Sequence, residues 1–359
     1  MIETILGPME GVSDFPFRMW VNLISKPTSS YTPFLRLTES FPHNELPSEF
    51  WPEVLIPSFT DLVWWQTHLQ VMTPDPSFLA RLRKQLPEDA DSVDMNCGCP
   101  SKMVTGKGSG SSLLKTVEGF KSFVEECVSH FDGPKMSLKM RTGFHDESLF
   151  EELVSCLPAD SLKHLTVHGR TREQKYSGYA DWNMIDRASR IFKGKVFGSG
   201  DIVSQSMMED RLKTAPKLSG VFIARGAIQK PWIFSELQGS KVEVSYELAL
   251  IYLEVFHWLT RLWNDANPEG FLPCLLDAAS LKSNPTLDSW LLYREKLEAL
   301  AKINAVYTDR NTRRSLARTK MIWSYMRTNW NSTSMAPEPL RANTFEDMIG
   351  ELKKLKTES

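Results

Sequence analysis

Residues 92–112 read SVDMNCGCPSKMVTGKGSGSS, a stretch that joins a short apolar run to a turn and then to a basic loop of glycine and serine. The run ending at Met95 predicts a buried strand. Asn96 and Cys99 follow at its carboxyl end, where barrel enzymes place their reactive groups. A thiol with an ordinary pKa of roughly 8.5 is mostly protonated near neutral pH, so Cys99 could donate a proton or act as a nucleophile.

Short apolar runs of this kind recur along the first part of the chain and alternate with longer amphipathic segments. The runs are Ile2–Leu6, Ser29–Phe34, Val63–Val71, Ser92–Met95, Lys135–Met140, His164–Val167, Lys195–Phe197 and Gly220–Ile223. Strands separated by helices predict an α/β fold with a parallel sheet. Eight repeats favour a closed (β/α)8 TIM barrel over an open doubly wound sheet.

After about Gly239 the pattern changes to helical spacing. The apolar residues that show it are Leu248, Ile251, Tyr252, Val255, Phe256 and Leu259, and further helices are predicted near Ser289–Tyr307, Arg313–Trp330 and Thr344–Lys356. The segment Asn264–Pro285 is rich in Asn, Pro, Gly and Ser, which predicts a connecting loop. We therefore expect a barrel domain over residues 1–243 and a smaller, all-helical C-terminal domain over residues 244–359.

The composition is that of an ordinary globular protein: the 359 residues are 42% hydrophobic and 24% charged. The chain contains no apolar run of about 18 residues and no secretory leader, so we expect no membrane span and a cytoplasmic location. The five cysteines are scattered, which argues against a disulfide framework. Cys97 and Cys99 lack a second pair of metal ligands at suitable spacing, so no metal is predicted.

Because the formal net charge is only −2, any case for nucleic-acid binding must be local. The segment 310–327 carries six cations and no acidic residue: Arg310, Arg313, Arg314, Arg318, Lys320 and Arg327. Leu316, Trp323 and Met326 would form one helical stripe that docks on the protein, leaving the cations to face phosphates. A solvated helix face is the alternative interpretation. Lys102 and Lys107 could add phosphate contacts.

Seven motifs carry a resemblance to a known family. They are GPMEGVSD (Gly7–Asp14), HLQ (His68–Gln70), NCGCPSK (Asn96–Lys102), LKMRTGF (Leu138–Phe144), VHGRTREQKY (Val167–Tyr176), GSGDI (Gly198–Ile202) and ARGA (Ala224–Ala227). In order and spacing the chain resembles the tRNA-dihydrouridine synthases, flavin enzymes that reduce uridine in transfer RNA. Within them it is most similar to the C subgroup, which acts on uridine 16 of the D-loop.

The resemblance implies a site for flavin mononucleotide (FMN). Its residues would be Pro8, Met9, Glu10, Gln70, Lys139, His168, Ser199, Gly200, Asp201, Ala224 and Arg225. The residues themselves agree with this, since glycine loops after the seventh and eighth strands are where barrels bind phosphate, although each could also be an ordinary turn. Lys139 lies within a predicted strand and either faces a solvated mouth or meets the negative charge of a reduced flavin. The family usually has asparagine and glycine at positions 199 and 224.

The resemblance also implies the reaction and its partners. Cys99 would protonate C5 of the uracil, a role we weigh against a structural thiol. Asn96, Arg141 and Tyr176 would hold the uracil, and Arg318 and Lys320 match the RNA-contacting motif. NADPH or NADH would reduce the flavin, and we expect a monomer with no protein partner. Thr32-Pro33-Phe34 departs from the family's Thr-Glu pattern, which puts RNA contacts there in question.

Two other functions are compatible with part of the sequence. One is an FMN-dependent barrel oxidoreductase for a small molecule, similar to dihydroorotate dehydrogenase, which shares the cofactor site but gives the basic helical region no purpose. The other is a non-catalytic tRNA-binding protein, for which Cys99 would be dispensable.

Overall fold

The structure is a computed structural model that describes residues 2–41, 45–87, 92–265, 268–283, 285–303, 309–330 and 337–357. Its strands are β1 (Glu3–Leu6), β2 (Ser29–Tyr31), β3 (Leu35–Arg36), β4 (Thr67–Met72), β5 (Val93–Cys97), β6 (Met136–Arg141), β7 (Leu162–His168), β8 (Val196–Ser199) and β9 (Gly220–Ile223). All pairings are parallel. β1 pairs with β2 and β9, β2 pairs with β4, and β4 to β9 pair in sequence, which closes a ring of eight strands. The predicted TIM barrel is confirmed.

The second strand of the ring differs from its prediction. The sequence predicted one strand over Ser29–Phe34, but the structure divides it into β2 and the two-residue β3, both of which pair with β4. Pro33 lies in the interruption. Because proline has no backbone N–H, it cannot donate to a ladder and commonly interrupts one.

The helices follow the strands around the ring and then continue alone. They are α1 (Phe15–Ile24), α2 (Pro52–Leu55), α3 (Pro57–Thr60), α4 (Ser77–Arg83), α5 (Lys102–Thr105), α6 (Val117–Ser129), α7 (Phe150–Ser155), α8 (Trp182–Ile191), α9 (Gln205–Thr214), α10 (Arg225–Gln229), α11 (Ile233–Leu237), α12 (Tyr246–Asp265), α13 (Pro268–Ala278), α14 (Leu287–Ile303), α15 (Asp309–Met326), α16 (Glu338–Arg341) and α17 (Phe345–Thr357). Short 3-10 helices cover Gly110–Lys115, Ala159–Ser161, Ala279–Leu281 and Arg327–Asn329. Some helices begin at side-chain caps: Asp181 accepts hydrogen bonds from the first turn of α8, and Ser204 from that of α9.

The chain divides into two compact units. The first contains the described residues of Met1–Asp14, Pro27–Leu55 and Trp65–Ala224, and with them every strand. The second contains those of Phe15–Lys26, Ile56–Trp64 and Arg225–Ser359. The sequence-based boundary between residues 243 and 244 stays a prediction, because this division follows contacts and says nothing of which part folds alone.

Inside the barrel, a buried, mostly aromatic layer lies below the predicted site residues, toward the amino-terminal ends of the strands. Ile5, Tyr31, Phe197 and Phe222 form this buried cluster, and the ring centroids of Tyr31 and Phe222 are 5.0 Å apart. Phe197 precedes Ser199 by two residues on β8, so both side chains lie on the same side of that strand. The layer gives the site a packed apolar floor.

The second unit is helical, as predicted. In α12, Ile251, Tyr252, Val255, Phe256 and Leu259 are all buried. Tyr252 packs against Trp290 of α14 with centroids 4.8 Å apart, and its carbonyl accepts a 2.7 Å bond from the Trp20 indole of α1. The predicted helical stripe is therefore the core of this unit.

The predicted loop over Asn264–Pro285 is wrong, because half of it is the helix α13 and the 3-10 helix Ala279–Leu281 follows. Phe271, Cys274, Leu275 and Ala278 are almost fully buried at the spacing of one helical face. Phe271 meets Trp263 edge to face at 5.2 Å. This apolar face outweighs Pro273, which lies inside the helix and removes one backbone hydrogen bond.

Candidate functional site

The carboxyl ends of the barrel strands bring most of the predicted site residues to one mouth. Strand register places Asn96 opposite Lys139, Arg141 opposite His168, and His168 opposite Ser199. Residues that are in register on adjacent parallel strands lie side by side. These side chains therefore come from neighbouring strands of one barrel. Their proximity follows directly from the closed barrel.

A chain of buried side chains runs across β4, β5 and β6 below this mouth. Asp94, which is fully buried, accepts a 2.7 Å bond at Oδ1 from the Ser137 hydroxyl and a 2.7 Å bond at Oδ2 from Nε2 of Gln70. Oε1 of Gln70 in turn accepts a 2.9 Å bond from Nδ2 of Asn96. Burial raises the pKa of Asp94 to about 6, while the bonds from Gln70 and Ser137 act in the opposite direction.

Asn96 links this chain to the turn that carries Cys99. Its Oδ1 accepts the backbone N–H of Gly98 at 3.0 Å and that of Cys99 at 2.9 Å. The Cys99 carbonyl accepts bonds from both the backbone N–H and the hydroxyl of Ser111, at 3.1 and 2.9 Å. Bonds on both sides of the cysteine therefore fix the turn, as the short Gly-Cys-Pro sequence predicted.

The Cys99 side chain is half-buried, and burial raises the pKa of its thiol. The carboxylate of Glu10 also raises it, whereas Arg36 and Arg141 lower it. Glu10 itself pairs with Arg36 at 3.2 Å on the loop after β1. The thiol is thus protonated at neutral pH and can serve as a proton donor. Cys97, by contrast, is fully buried at the end of β5.

Lys139 is a half-buried lysine within β6. In the described part of the chain its ammonium makes no hydrogen bond and no ion pair within 4 Å. Burial lowers the pKa of Lys139 to about 8, the charge of Arg141 lowers it further, and Asp94 opposes both. Because a buried charge normally has a partner, this ammonium is suited to an anionic group in the mouth.

Arg141 is buried and holds protein carbonyls in this structure. Its Nε donates to the Gly98 carbonyl at 2.8 Å, and Nη1 donates to the carbonyls of Thr171 and Lys175 at 2.8 and 3.0 Å. The guanidinium therefore ties the Cys99 turn to the loop after β7. Tyr176, the other residue predicted to hold the uracil, is 62% exposed on that loop.

His168 ends β7 beside an ion pair that the sequence did not single out. Arg170 is buried, its Nη2 donates to Oδ2 of Asp201 at 2.7 Å, and its Nη1 lies 3.4 Å from Nε2 of His168. The same Asp201 oxygen accepts the backbone N–H of Ala180 at 2.7 Å. Asp201, predicted to bind the cofactor directly, is thus bonded to the protein and shapes the loop after β8.

Gly200 is required where it stands in that loop. Its φ is +134°, and a Cβ there would lie 2.4 Å from Cβ of Ala180 and 3.2 Å from Cδ2 of His168. Only glycine fits such a conformation and approach. Ser199, before it, ends β8 and is buried.

The remaining predicted cofactor residues follow β1 and β9, the two strands whose pairing closes the ring. Pro8 and Met9 follow β1 and are half-buried, and the Met9 backbone N–H and carbonyl both bond the Ser13 hydroxyl. Ala224 follows β9 directly. Arg225 begins α10 in the second unit and is exposed.

The residues predicted to contact RNA from α15 make contacts within the second unit. The Arg318 guanidinium lies 5.5 Å from the ring centroid of Phe256, and the Lys320 ammonium donates to the carbonyl of Ala342. Arg313 and Arg314 are exposed, and the side chain of Arg310 lies outside the described residues. Leu316, Trp323 and Met326 are buried, in agreement with the predicted stripe.

A cavity of about 320 Å³ lies at the opposite, amino-terminal end of the strands. His68, His164 and Tyr31 line it, and the Tyr31 hydroxyl lies 3.4 Å from Nε2 of His164. Burial lowers the pKa of His164 to about 3. None of the predicted site residues lines this cavity, so it is separate from the mouth.

Sequence reasoning missed Asp94 and Ser137, which lie buried below the mouth, and Arg170, which lies beside His168. A charged residue inside a buried strand needs partners, which was a usable signal for Asp94. Among the residues described, no group of three or more His, Cys, Asp or Glu side chains could hold a metal ion. Nor does any helix there have the length and apolar character that a bilayer crossing requires.

Comparisons with known proteins agree with this arrangement. A family model described as dihydrouridine synthase matches residues 5–258. A Xenopus laevis protein named tRNA-dihydrouridine(47) synthase NAD(P)(+)-like is 37% identical over 152 residues, which are 42% of this chain but only 23% of that protein. A probable tRNA-dihydrouridine synthase of Rhizobium leguminosarum bv. phaseoli is 28% identical over 272 residues, 74% of this chain and 80% of that protein.

Among solved structures, a morphinone reductase is similar at 10% identity with a TM-score of 0.49, covering 67% of this chain and 87% of that one. The family model spans far more than half of the chain and includes every barrel strand except the first two residues of β1. It also includes each mouth residue from Pro8 to Arg225. The chain therefore belongs to the dihydrouridine synthase family.

Proposed function

We propose that this protein reduces uridine in transfer RNA to 5,6-dihydrouridine, using FMN and a nicotinamide reductant. Family membership supports the reaction class. The observation that carries the proposal is the pairing of two groups at one mouth: a protonated Cys99 held on a rigid turn, and a Lys139 ammonium with no anionic partner within 4 Å among the described residues. Proton donation and anion binding are what the reaction requires of the protein.

When bound, FMN supplies the hydride that adds to C6 of the uracil. Addition at C6 leaves negative charge on C5 and the C4 carbonyl, and C5 must then take a proton. Cys99 gives that proton from its thiol, and solvent restores it. The Asn96 side-chain oxygen accepts the backbone N–H groups of Gly98 and Cys99 and so holds the turn, which aims the thiol before the substrate arrives.

The residues present fit a flavin. When a flavin is bound, Lys139 would neutralise the negative charge of its reduced ring, and Gln70 and His168 would supply polar groups to the ring. The loop after β8 contains Gly200 in a conformation that only glycine fits, so no side chain covers the backbone there. Ser199, Asp201, Ala224 and Arg225 follow the last two strands, where barrels bind phosphate. NADPH or NADH would reduce the flavin, in keeping with the names of the relatives.

For the RNA, we propose contacts from the loops at the mouth and from α15. Tyr176 and Tyr179 are 62% and 82% exposed on the loop after β7, where aromatic rings can stack on unpaired bases. Arg318 and Lys320 remain candidates for phosphate contact: an ammonium has three N–H donors, and the bond to Ala342 uses one. Deleting residues from 244 onward should abolish tRNA binding.

We place the modified base at uridine 16 of the D-loop, on the sequence resemblance to the C subgroup. Loop bases leave their stack at lower cost than paired ones, which suits a substrate that must lie on a flavin. The relatives named for position 47 match only a 152-residue segment. Monomeric state, the absence of a protein partner and a cytoplasmic location stay predictions.

The test is to map dihydrouridine in tRNA from cells lacking this gene, complemented with the wild type or with Cys99→Ala. We expect dihydrouridine to be lost at position 16 and restored only by the wild-type gene. Loss of dihydrouridine at position 47 or elsewhere instead would refute the assignment to position 16. For the purified variant we expect turnover to fall by about 100-fold or more, the usual contribution of a general acid, with tRNA affinity unchanged. Full activity of Cys99→Ala, or turnover of a small molecule without tRNA, would refute the mechanism or the substrate.

A further inference from the structure

The hydrogen bonds that link Asp94 to the Cys99 turn all have the same donor-to-acceptor direction, from the turn toward Asp94. A carboxylate only accepts hydrogen bonds, and the backbone N–H of Cys99 only donates. Between these two fixed ends lie two amide side chains, Gln70 and Asn96, whose ends can exchange places by rotation. Asp94 accepts from Nε2 of Gln70, which turns Oε1 toward Nδ2 of Asn96 and leaves Oδ1 of Asn96 for the turn.

Each link is short and shielded from water. The distances from Asp94 to Gln70, Gln70 to Asn96, and Asn96 to Cys99 are 2.7, 2.9 and 2.9 Å. Asp94 and Gln70 are fully buried and Asn96 is 9% exposed. An amide turned the wrong way would therefore set two donors or two acceptors against each other with no water to relieve them.

We propose that Asp94 is a positioning residue that fixes the orientation of Gln70 and Asn96, and through them the aim of the turn carrying Cys99. The role builds on the proposed function but acts on the free protein. Asp94 does not reach the mouth itself; it acts from the layer beneath, on the polarity of the two amides. Burial raises the pKa of Asp94 only to about 6, so the carboxylate is ionised and acceptor-only at neutral pH.

Exchanging the two ends of this chain gives a specific test. In Asn96→Asp, the carboxylates at positions 94 and 96 would both need the Nε2 donor of Gln70. While Nε2 donates to Asp94, Oε1 of Gln70 faces the carboxylate at 96, and two acceptors oppose each other. Adding Asp94→Asn removes the conflict: Gln70 rotates, donates to the carboxylate at 96 and accepts from the amide at 94. The double variant then satisfies every bond again, including the N–H of Cys99, with the Gln70 amide reversed.

The readout is the second-order rate of alkylation of Cys99 by iodoacetamide in the purified holoprotein, measured in a background with the other four cysteines replaced by alanine or serine. An unsatisfied buried polar pair should change this rate by about 10- to 100-fold in Asn96→Asp, because the turn is no longer held. The double variant should return to within a few-fold of the wild type. Asp94→Asn alone should change it by less than Asn96→Asp, since its Oδ1 can still accept from Gln70.

Ser137→Ala is the matched control. It removes a 2.7 Å bond to the same carboxylate without altering either amide, so it should lower stability but leave the alkylation rate within about twofold. The flavin absorbance band should shift in the double variant, where the Gln70 amide is reversed, and not in Ser137→Ala.

Additive effects of the two substitutions, with no recovery in the double variant, would overturn the proposal. So would a Ser137→Ala effect as large as that of Asn96→Asp, because Asp94 would then be a general structural residue. If Asn96→Asp does not fold, recovery of folded protein in the double variant reports the same coupling, and its absence counts against it. None of these measurements needs tRNA turnover, so they stand apart from failure of the proposed reaction.

Discussion

Replacing Lys139 with methionine should stabilise the flavin-free protein and weaken its hold on reduced flavin. Burial lowers the pKa of this lysine from 10.5 to about 8. At 1.36 kcal/mol per unit, the charged form therefore costs about 3 kcal/mol as an upper bound, since the side chain is only partly shielded from water. Methionine has a similar length and no charge to desolvate.

The sign follows from proton linkage. Between about pH 8 and 10.5 the unfolded chain keeps the Lys139 proton and the folded chain does not, so folding stability rises with pH in that window. Below pH 8 both forms are protonated and the full penalty applies. The advantage of Lys139→Met should therefore be greatest at pH 7, at up to about 3 kcal/mol, and shrink toward zero near pH 10.5.

Urea unfolding of wild type and variant between pH 7 and 10 measures this difference directly, and groups common to both proteins cancel. Lys195→Met is the control for removing a lysine charge at an exposed position. In the second arm, reduced FMN should bind Lys139→Met about 10- to 100-fold more weakly, the range for a lost charge-assisted bond. A stability difference that stays constant with pH, or equal flavin affinity, would refute the reasoning.

Other substitutions probe the neighbouring elements. Asp201→Asn removes the half-buried carboxylate that pairs with the buried Arg170 and should lower the unfolding free energy by about 3 to 5 kcal/mol in urea titrations; a loss below 1 kcal/mol would show that the pair is not structural. Gly200→Ala should abolish FMN binding in fluorescence titrations, because its Cβ would lie 2.4 Å from that of Ala180; wild-type affinity would contradict this. The neutral form of His164 is favoured by burial, so its contribution is full above pH 6.5 and is lost as pH falls toward 3. In His164→Gln, the unfolding free energy should therefore fall less between pH 6.5 and pH 4 than in the wild type, by about 3 kcal/mol. An equal fall in the two proteins would count against this reasoning.

The sequence could predict the barrel because each buried strand leaves a local signal, a short apolar run between helical segments. It failed where long-range packing decides. The composition of Asn264–Pro285 indicated a loop, but the contact of Phe271 with Trp263 makes a helix of α13. Conversely, the run Ser29–Phe34 indicated one strand, and the missing N–H of Pro33 divides it.

The same distinction holds at the site. Position along a strand sufficed to bring Asn96, Lys139 and His168 to one mouth, because the carboxyl ends of all strands in a parallel barrel lie at the same end. What the side chains do there depends on residues distant in sequence. The sequence could not show that Arg141 is bonded to three carbonyls, nor that Asp201 is bonded to Arg170.

Two charges, the buried Asp94 below the mouth and the half-buried Lys139 at the mouth, explain why an anionic ligand is expected there. Asp94 and Lys139 attract each other, yet for each of them burial outweighs that attraction. They form no ion pair within 4 Å, and both oxygens of Asp94 are already bonded to Gln70 and Ser137. The carboxylate is thus directed into the protein, toward the amides that hold the Cys99 turn. The ammonium keeps its positive charge with no ion-pair partner within 4 Å in the described part of the chain, at the cost of stability. A group that brings negative charge into the mouth would remove that cost, so binding of a reduced flavin and stabilisation of the fold should be the same event.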